Sequence, residues 1–384
     1  MTRSLRGKSA IVGTAESDLG VVAPGMSPID LMAQGTLRAL DDCGLTLKDV
    51  DGLFVATSQS RMAAMSLCEY LGISPTYFDS TQIGGSSFMA HVSHVQAAIE
   101  SGQCEVAVVC YGSTQRSMGR STTSVREPNP YEDPYRPVMP ISAYAMAASR
   151  HMHQYGTTRE NLAEVAVAAR KWAKLNPKAF SRGDLSIEDV LNAHKVSDPF
   201  TVRDCCLVTD GGGAIVLTSA ERAKDLKHKP AYVLGTGEHI SHAMISMMPD
   251  LTVSGAVHSG ATAFAEAGVK PADIDVLELY DAFTYNTMVF LEDLGYCAKG
   301  EGGDFVSGGR IAPGGELAVN TNGGGLSYCH PGMYGLFLLI EAARQIQGVC
   351  DVRQIGDVNL ALAHGNGGVL SSQCTVILGS EATL

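Results

Sequence analysis

Four short stretches gather Gly, His, Tyr and Asn where strand-like runs give way to helix-like ones. They are Ser80–Ser87 (STQIGGSS), Tyr280–Phe283 (YDAF), Asn320–Gly325 (NTNGGG) with Cys329–Gly332 (CHPG) close behind, and His364–Gly368 (HGNGG). Such points form the usual ligand edge of an α/β sheet. Glycines ahead of a helix let backbone N–H groups face an anion or a developing oxyanion. No P-loop is present, and no Gly-x-Gly-x-x-Gly run joins the first strand to the first helix, so nucleotide readings are weak.

Of the side chains in these stretches, His330 is the strongest candidate for chemistry. His364 reads equally as a core histidine or as a site residue. Asn322 sits in a plain Asn-Gly turn signal and reads as a holder of a loop or a water. Asp281, one carboxylate without an identifiable partner, reads as an organiser of backbone. His91 and His94 are spaced i, i+3 but lack a third ligand, which is poor support for a metal. Cys205 and Cys206 read as buried thiols. Cys329 beside His330 suggests a dyad, but adjacency in sequence does not supply the geometry.

The elements that must position these residues follow from local signals. Ser9–Thr14 (SAIVGT) reads as a buried strand. The helix after it has Ser27 to cap, Pro28 at the first helical position, Asp30 three on from the cap and Gly44 to end it. GLFVATS from Gly52 and EVAVVCY from Glu105 read as further strands. Strands alternating with helices predict a layered α/β fold.

One of these units recurs. Ala39–Leu53 runs helix, Gly stop, acidic turn, strand, and Ala263–Leu277 does the same without a gap. Gly44 matches Gly268, Asp49 matches Asp273, Val50 matches Ile274 and Asp51 matches Asp275. Duplication is the better reading than chance, and it predicts two halves with sites near their seam. Between the halves, from about Gln115 to Asp204, lies a segment too long for a simple connection. It opens with a turn-rich stretch, Arg120–Pro137, and continues with helices over 142–155 and 159–175. Its expected role is to cover a ligand or offer a partner surface. TDGGGAIVLTS, from Thr209, returns to the core as a strand.

Composition narrows the class. The chain has 384 residues, 45% of them apolar, enough for a sizeable core. It carries 28 Lys and Arg against 40 Asp and Glu, a net charge of −12, with no basic block. A nucleic-acid binder needs a basic face, so none is expected. No stretch reaches the ~18 apolar residues of a membrane span. The opening residues, MTRSLRGKSAIVG, lack the apolar run of a signal peptide. Ten cysteines with no Cys-x-x-Cys pair fit reduced thiols rather than disulfides or zinc, and a cytoplasmic location is expected.

In their order, ASRHMHQYGTT, DPFTVRDCCLVTDGGGAIVLTS, YDAF, LEDLGYCAKGEGGDFV, NTNGGG and CHPGMYG make the chain resemble the thiolase superfamily over nearly its whole length. It is most similar to the sterol-carrier-protein-type thiolases and their bacterial relatives. The resemblance implies two duplicated α/β halves stacked in five layers, with a loop domain inserted in the first. The implied parts are residues 1–114 with 205–235, the insertion 115–204, and 236–384. It also implies a homodimer and an acyl-CoA thioester as substrate, with no other cofactor.

The departures from that family steer the chemistry. Alignment puts Gln82 at the nucleophilic cysteine and Gly365 at the second catalytic cysteine, so both family thiols are missing. Gln82 fits a hydrogen bond at a helix start at least as well as a catalytic part. Tyr280 falls at an oxyanion-side position, where its place in the motif favours function over a satisfied buried tyrosine. His330 matches the loop histidine. Donors of this kind suit an enolate without an acyl enzyme. Cysteine-less relatives with a Tyr-Asp-x-Phe-Thr segment include steroid side-chain retro-aldolases. The resemblance therefore implies coenzyme-A-independent cleavage of a β-hydroxyacyl-CoA, with Tyr280 moving the proton and His330 stabilising the enolate. Gln82, Gly84, Asn322, His364 and Gly367 are the expected substrate and oxyanion contacts. The CoA phosphates and pantetheine are expected to dock against the loop domain, around Arg116–Arg136 or later in it. A small zinc-ribbon/OB-fold partner would give an α2β2 assembly. The runners-up are an acyltransferase with a thiol elsewhere, such as Cys329, and a non-catalytic scaffold for an acyl-CoA-binding subunit.

Overall fold

Runs of Val, Ile, Leu and Ala fill the strands, and the computed structural model, which describes residues 4–118 and 129–384, joins ten of them in one sheet. The first half supplies β1 (Ser9–Glu16), β2 (Gly52–Val55), β3 (Tyr77–Asp79) and β4 (Val106–Ser113). A separate two-stranded ladder, β5 (Lys195–Ser197) and β6 (Phe200–Thr201), lies in the insertion, and β7 (Gly211–Ser219) completes the first half. The second half supplies β8 (Ala231–Ile240), β9 (Val276–Leu279), β10 (Ala318–Val319), β11 (Leu360–Gly367) and β12 (Ser372–Gly379).

From the centre outward the first half runs β1-β7-β4-β2-β3 and the second runs β8-β12-β11-β9-β10. These are the same order once each half is counted from its own first strand. The hydrogen-bond sense repeats as well. The outer pairs β2–β3 and β2–β4 are parallel, as are β9–β10 and β9–β11, and the inner pairs of both halves are antiparallel. Two residue pairs join the halves, Ala10 with Tyr232 and Ile11 with Ala231.

The helices are α1 (Pro28–Cys43), α2 (Ala63–Leu71), α3 (Ser87–Glu100), α4 (Ile141–Tyr155), α5 (Arg159–Leu175) and α6 (Ile187–Leu191). They continue with α7 (Ala220–Ala223), α8 (Ala256–Ala267), α9 (Thr284–Asp293), α10 (Gly302–Val306) and α11 (Gly335–Gln347). α1 packs on β1, β4 and β7, and α8 packs on β8 and β12. α3 and α11 each touch strands of both halves, which places them in a central layer. A helix covered on every side is largely apolar, and the polar side chains it buries need partners. In α11 every residue except Arg344 is buried.

The repeat is chemical as well as topological. Gly44 and Gly268 both end a helix in the left-handed region, at φ 78° and 67°. The Asp51 carboxylate accepts the N–H groups of Glu105 and Val106 at the start of β4. The Asp275 carboxylate accepts those of Asn359 and Leu360 at the start of β11. One aspartate in each half therefore anchors the equivalent strand.

The first helix follows its signals closely: Ser27 Oγ accepts from the Asp30 N–H and the Asp30 carboxylate accepts from the Ser27 N–H. The insertion carries α4, α5 and α6, and part of the turn-rich stretch before them, residues 119–128, lies outside the described residues. α5 packs against α9, α10 and the five-residue π-turn 324–328 of the second half. That contact brings the insertion to the glycine loops.

Candidate active site

Tyr280 directly follows β9, and His330 follows the π-turn 324–328, so both sit beside the N-terminus of α11. Their rings meet edge to face with centroids 5.6 Å apart. Tyr334, at the N-cap of α11, joins them. Its ring stacks on His330 at 6.0 Å and its N–H donates to Tyr280 Oη at 3.1 Å. Its own hydroxyl donates to Asn322 Oδ1 at 2.7 Å. Behind Tyr280 lies Gly85, where a Cβ would come within 2.1 Å of Tyr280 Cε2. A side chain at that position would expel the phenol ring.

The loop around His330 is held from several directions. Its N–H donates to Thr209 Oγ1 at 3.1 Å, and Thr209 N–H donates to the His330 carbonyl at 3.2 Å. Tyr111 Oη donates to the Pro331 carbonyl and accepts the Met333 N–H. The ring Nε2 of His330, by contrast, is buried without a partner. Burial lowers the pKa of this histidine to about 4, so the ring is neutral at pH 7. Burial also pushes the Tyr280 phenol well above its ordinary value, against the pull of the Tyr334 N–H. The pair is therefore a neutral imidazole and a neutral phenol.

Asp281 spends its carboxylate on the π-turn, accepting from Gly325 N–H at 2.6 Å and Leu326 N–H at 3.2 Å. Burial raises it to about 7 despite those donors. The insertion clamps the same turn: Arg170 donates to Ser327 Oγ, and Phe180 N–H and Ser181 N–H donate to the carbonyls of Tyr328 and Ser327. Tyr328 Oη donates to Glu16, a buried carboxylate that also receives Arg344 and Lys178. Glu16 belongs to the wall of an open groove of about 650 Å³. The groove's charges are largely paired among themselves, Arg38 with Asp18 and both Arg344 and Lys178 with Glu16. We do not place the chemistry there.

The other expected site residues are distributed differently. Gly84, at φ 79°, and Gly367 press backbone against backbone: a Cβ on Gly84 would lie 2.6 Å from Gly367 Cα. Asn322 takes part through Tyr334 and also accepts the Gly324 N–H. His364 is fully buried, with Nδ1 facing Thr375 Oγ1 and Nε2 facing Gln373 Oε1, both at 2.9 Å. Gln373 Nε2 in turn donates to Asn366 Oδ1. Both ring nitrogens of His364 are thus committed inside the protein, leaving no group to offer a ligand. Gln82 is exposed and lies five residues before α3 begins at Ser87. Arg116 donates to the Val208 carbonyl and lies over the Phe180 ring. The rest of the expected phosphate region falls partly in 119–128, outside the described residues.

Every one of the ten cysteines is unpaired, and burial raises each thiol. Cys329 is buried and pushed well above its ordinary value. No thiol has the electropositive, half-open surroundings that make a thiolate nucleophile. Sequence reasoning missed Tyr334, which binds Tyr280, His330 and Asn322 into one unit. Its signal was present in the CHPGMYG run, four residues after the histidine.

Residues 237–380 match the family model described as "Thiolase C-terminal domain-like". The 17-hydroxy-3-oxo-4-pregnene-20-carboxyl-CoA lyase of Mycobacterium tuberculosis is 35% identical, over 96% of this chain and 98% of that protein. The steroid side-chain-cleaving aldolase of Thermomonospora curvata is 34% identical, over 98% and 99%. Among solved structures, an Ltp2-ChsH2(DUF35) aldolase superposes with a TM-score of 0.87 at 32% identity, covering all of both chains.

Proposed function

This chain belongs to the thiolase superfamily, among its steroid side-chain aldolases, and on that premise we propose how Tyr280 and His330 cleave a carbon–carbon bond. The enzyme is a carbon–carbon lyase acting on an acyl-CoA thioester by retro-aldol cleavage. The observation that carries the assignment of roles is the meeting of the Tyr280 phenol with the unpartnered Nε2 of a neutral His330.

The thioester oxygen lies against His330 in the tautomer that carries its proton on Nε2, and that Nε2–H donates to it. A neutral imidazole can do this without ever becoming charged. Tyr280 Oη takes the proton of the β-hydroxyl only as it releases its own toward Cα, while the Cα–Cβ bond breaks and its electrons pass through the thioester as enolate charge into the new Cα–H bond. Tyr280 gives its original proton to Cα. The products are a carbonyl compound and a shortened acyl-CoA, and the phenol ends in the form in which it began. The Tyr334 N–H steadies the partial negative charge on Oη during the exchange. Asn322 and the Tyr334 ring hold the pair in place, Gly84 and Gly367 close the backbone beside it, and side chains do the chemistry with the CoA thioester as substrate alone. A reading that needs a thiolate has no suitable cysteine.

The assembly proposed with it is a homodimer through the open edge of β3. There Phe78 is 68% exposed, and Tyr70, Met62 and Met65 on and beside α2 are exposed too. An unpaired strand edge bearing large apolar side chains is a surface that association covers. A DUF35-type partner would extend it to α2β2. Among the described residues no helix is long and apolar enough to cross a membrane, and ten unpaired cysteines support a cytoplasmic placement.

Native mass spectrometry of the protein during turnover of a β-hydroxyacyl-CoA tests both parts. It should show an even number of 40.4 kDa chains and no covalent acyl adduct. An acyl adduct would overturn the noncovalent route, and a stable monomer would overturn the dimer.

A further inference from the structure

One buried carboxyl close to Tyr280 in the chain takes no part in that chemistry. Glu278 lies on β9, two residues before Tyr280, and is fully buried. Its Oε1 faces Thr321, with the Thr321 N–H at 3.1 Å and Oγ1 at 2.9 Å. Thr321 Oγ1 also lies 2.8 Å from Oε1 of a second buried carboxylate, Glu341 of α11.

A count of protons decides how these oxygens meet. Gln345 Oε1 accepts the Ile355 N–H and its Nε2 donates to the Arg353 carbonyl, which fixes the orientation of that amide. The same Nε2 therefore donates to Thr321 Oγ1, at 3.0 Å. The hydroxyl has one proton to give and two carboxyl oxygens beside it. One of the two carboxyls must bring a proton of its own. Glu341 has the Arg353 guanidinium, whose Nε and Nη2 bind its two oxygens at 3.1 and 3.2 Å. Glu278 takes part in no ion pair among the described residues, and its Oε2 has no hydrogen-bond partner. A buried carboxylate in that state costs far more than the neutral acid. Burial and then the charge of Glu341 push the Glu278 carboxyl well above the usual range, against the two Thr321 donors, and Asp281 adds to the rise.

Thr321 connects this acid to the site. The Asn320 N–H donates to the Leu277 carbonyl at 2.8 Å, and Asn320 Oδ1 accepts the Leu279 N–H at 2.7 Å. Asn320 does so at φ 54°, a left-handed conformation that its surroundings must hold in place. On the other side of Thr321, Asn322 Oδ1 accepts the Tyr334 hydroxyl, and the Tyr334 N–H donates to Tyr280 Oη.

We propose that Glu278 is a positioning residue that acts as a neutral carboxylic acid, donating its proton to Thr321 Oγ1 and so holding the Asn320–Asn322 loop against β9 for Tyr334 and Tyr280. It touches neither the substrate nor the reacting atoms. An ionised Glu278 would compete with Glu341 for the single Thr321 proton. The activity readout rests on the retro-aldol reading, whereas the protonation readout does not.

The experiment is infrared difference spectroscopy of wild type against Glu278→Gln at pH 7, with near-UV circular dichroism and steady-state kinetics on the same proteins. The difference should contain the C=O stretch of a protonated carboxylic acid, shifted in D2O. Glutamine keeps the shape and the neutrality, so kcat should stay within about threefold of wild type and the tyrosine dichroism should match it. Glu278→Leu removes the bonds to Thr321 and should lower kcat about tenfold or more, with KM little changed and the dichroism altered. Carboxylate bands in place of the acid band overturn the proposal, as does an equal loss of kcat in both variants or no loss in either. If the leucine variant folds poorly, the acid band and the glutamine kinetics still decide. The expected band and dichroism, with no cleavage of any β-hydroxyacyl-CoA by wild type, would sink the retro-aldol reading and leave the neutral acid holding its loop.

Discussion

Tyr280→Phe is expected to lower kcat by a factor on the order of 10³ or more, near the upper range for loss of a positioned proton-transfer group. The substitution removes Oη alone. The ring stays wedged between Gly85 and the edge of His330. The Tyr334 N–H loses its acceptor, which costs about 1–3 kcal/mol and leaves the fold intact. Because the lost group acts in the bond-breaking step, KM for a β-hydroxyacyl-CoA should change little while kcat collapses. Steady-state kinetics with a thermal melt on the same samples decides this. Near-normal kcat in a folded variant would remove Tyr280 from the mechanism.

Arg344→Met should have the largest effect on stability. Arg344 donates to both oxygens of Glu16 and, through Nε, to Thr14 Oγ1. Glu16 is 6% exposed, so the variant strands a buried carboxylate with the half-exposed Lys178 as its remaining cation. Breaking one side of a buried pair costs about 3–5 kcal/mol. Burial alone would raise the Glu16 carboxyl, but Arg344 and Lys178 overcome it and hold the group well below the usual range. A depressed carboxylate contributes stability above its unfolded pKa, near 4.5, and loses it as pH falls through the folded value. The variant should forfeit this term, so its urea midpoint falls most at pH 7 and converges on wild type in acid. Glu16 also anchors Tyr328, two residues before His330, so activity should fall with stability. An unchanged midpoint at pH 7 would show that the pair contributes nothing.

The sequence made legible what local chemistry decides. Ser27, Asp30 and Gly44 mark α1 because caps act within one turn, and the matched Asp51 and Asp275 reveal the duplication because each anchors a strand in its own half. Fold class and the Tyr280–His330 pair came from those features and the resemblance. What stayed hidden depends on distant partners. Nothing near His364 in the chain announces that Thr375 and Gln373 will satisfy both its nitrogens. The placement of Gln82 at a helix start assumed the family's spacing, whereas α3 begins at Ser87 and leaves Gln82 exposed. Tyr334 was visible in its motif, but its bond to Tyr280 spans 54 residues.

The most direct measurement is product analysis by mass spectrometry, with β-hydroxyacyl-CoA and β-ketoacyl-CoA thioesters, each with and without free CoA and a DUF35-type partner. The expected result is cleavage of the β-hydroxyacyl-CoA to a carbonyl compound and a shorter acyl-CoA, at a rate that added CoA does not change. Cleavage confined to the β-ketoacyl-CoA, and only when CoA is supplied, would contradict it and require a thiol nucleophile.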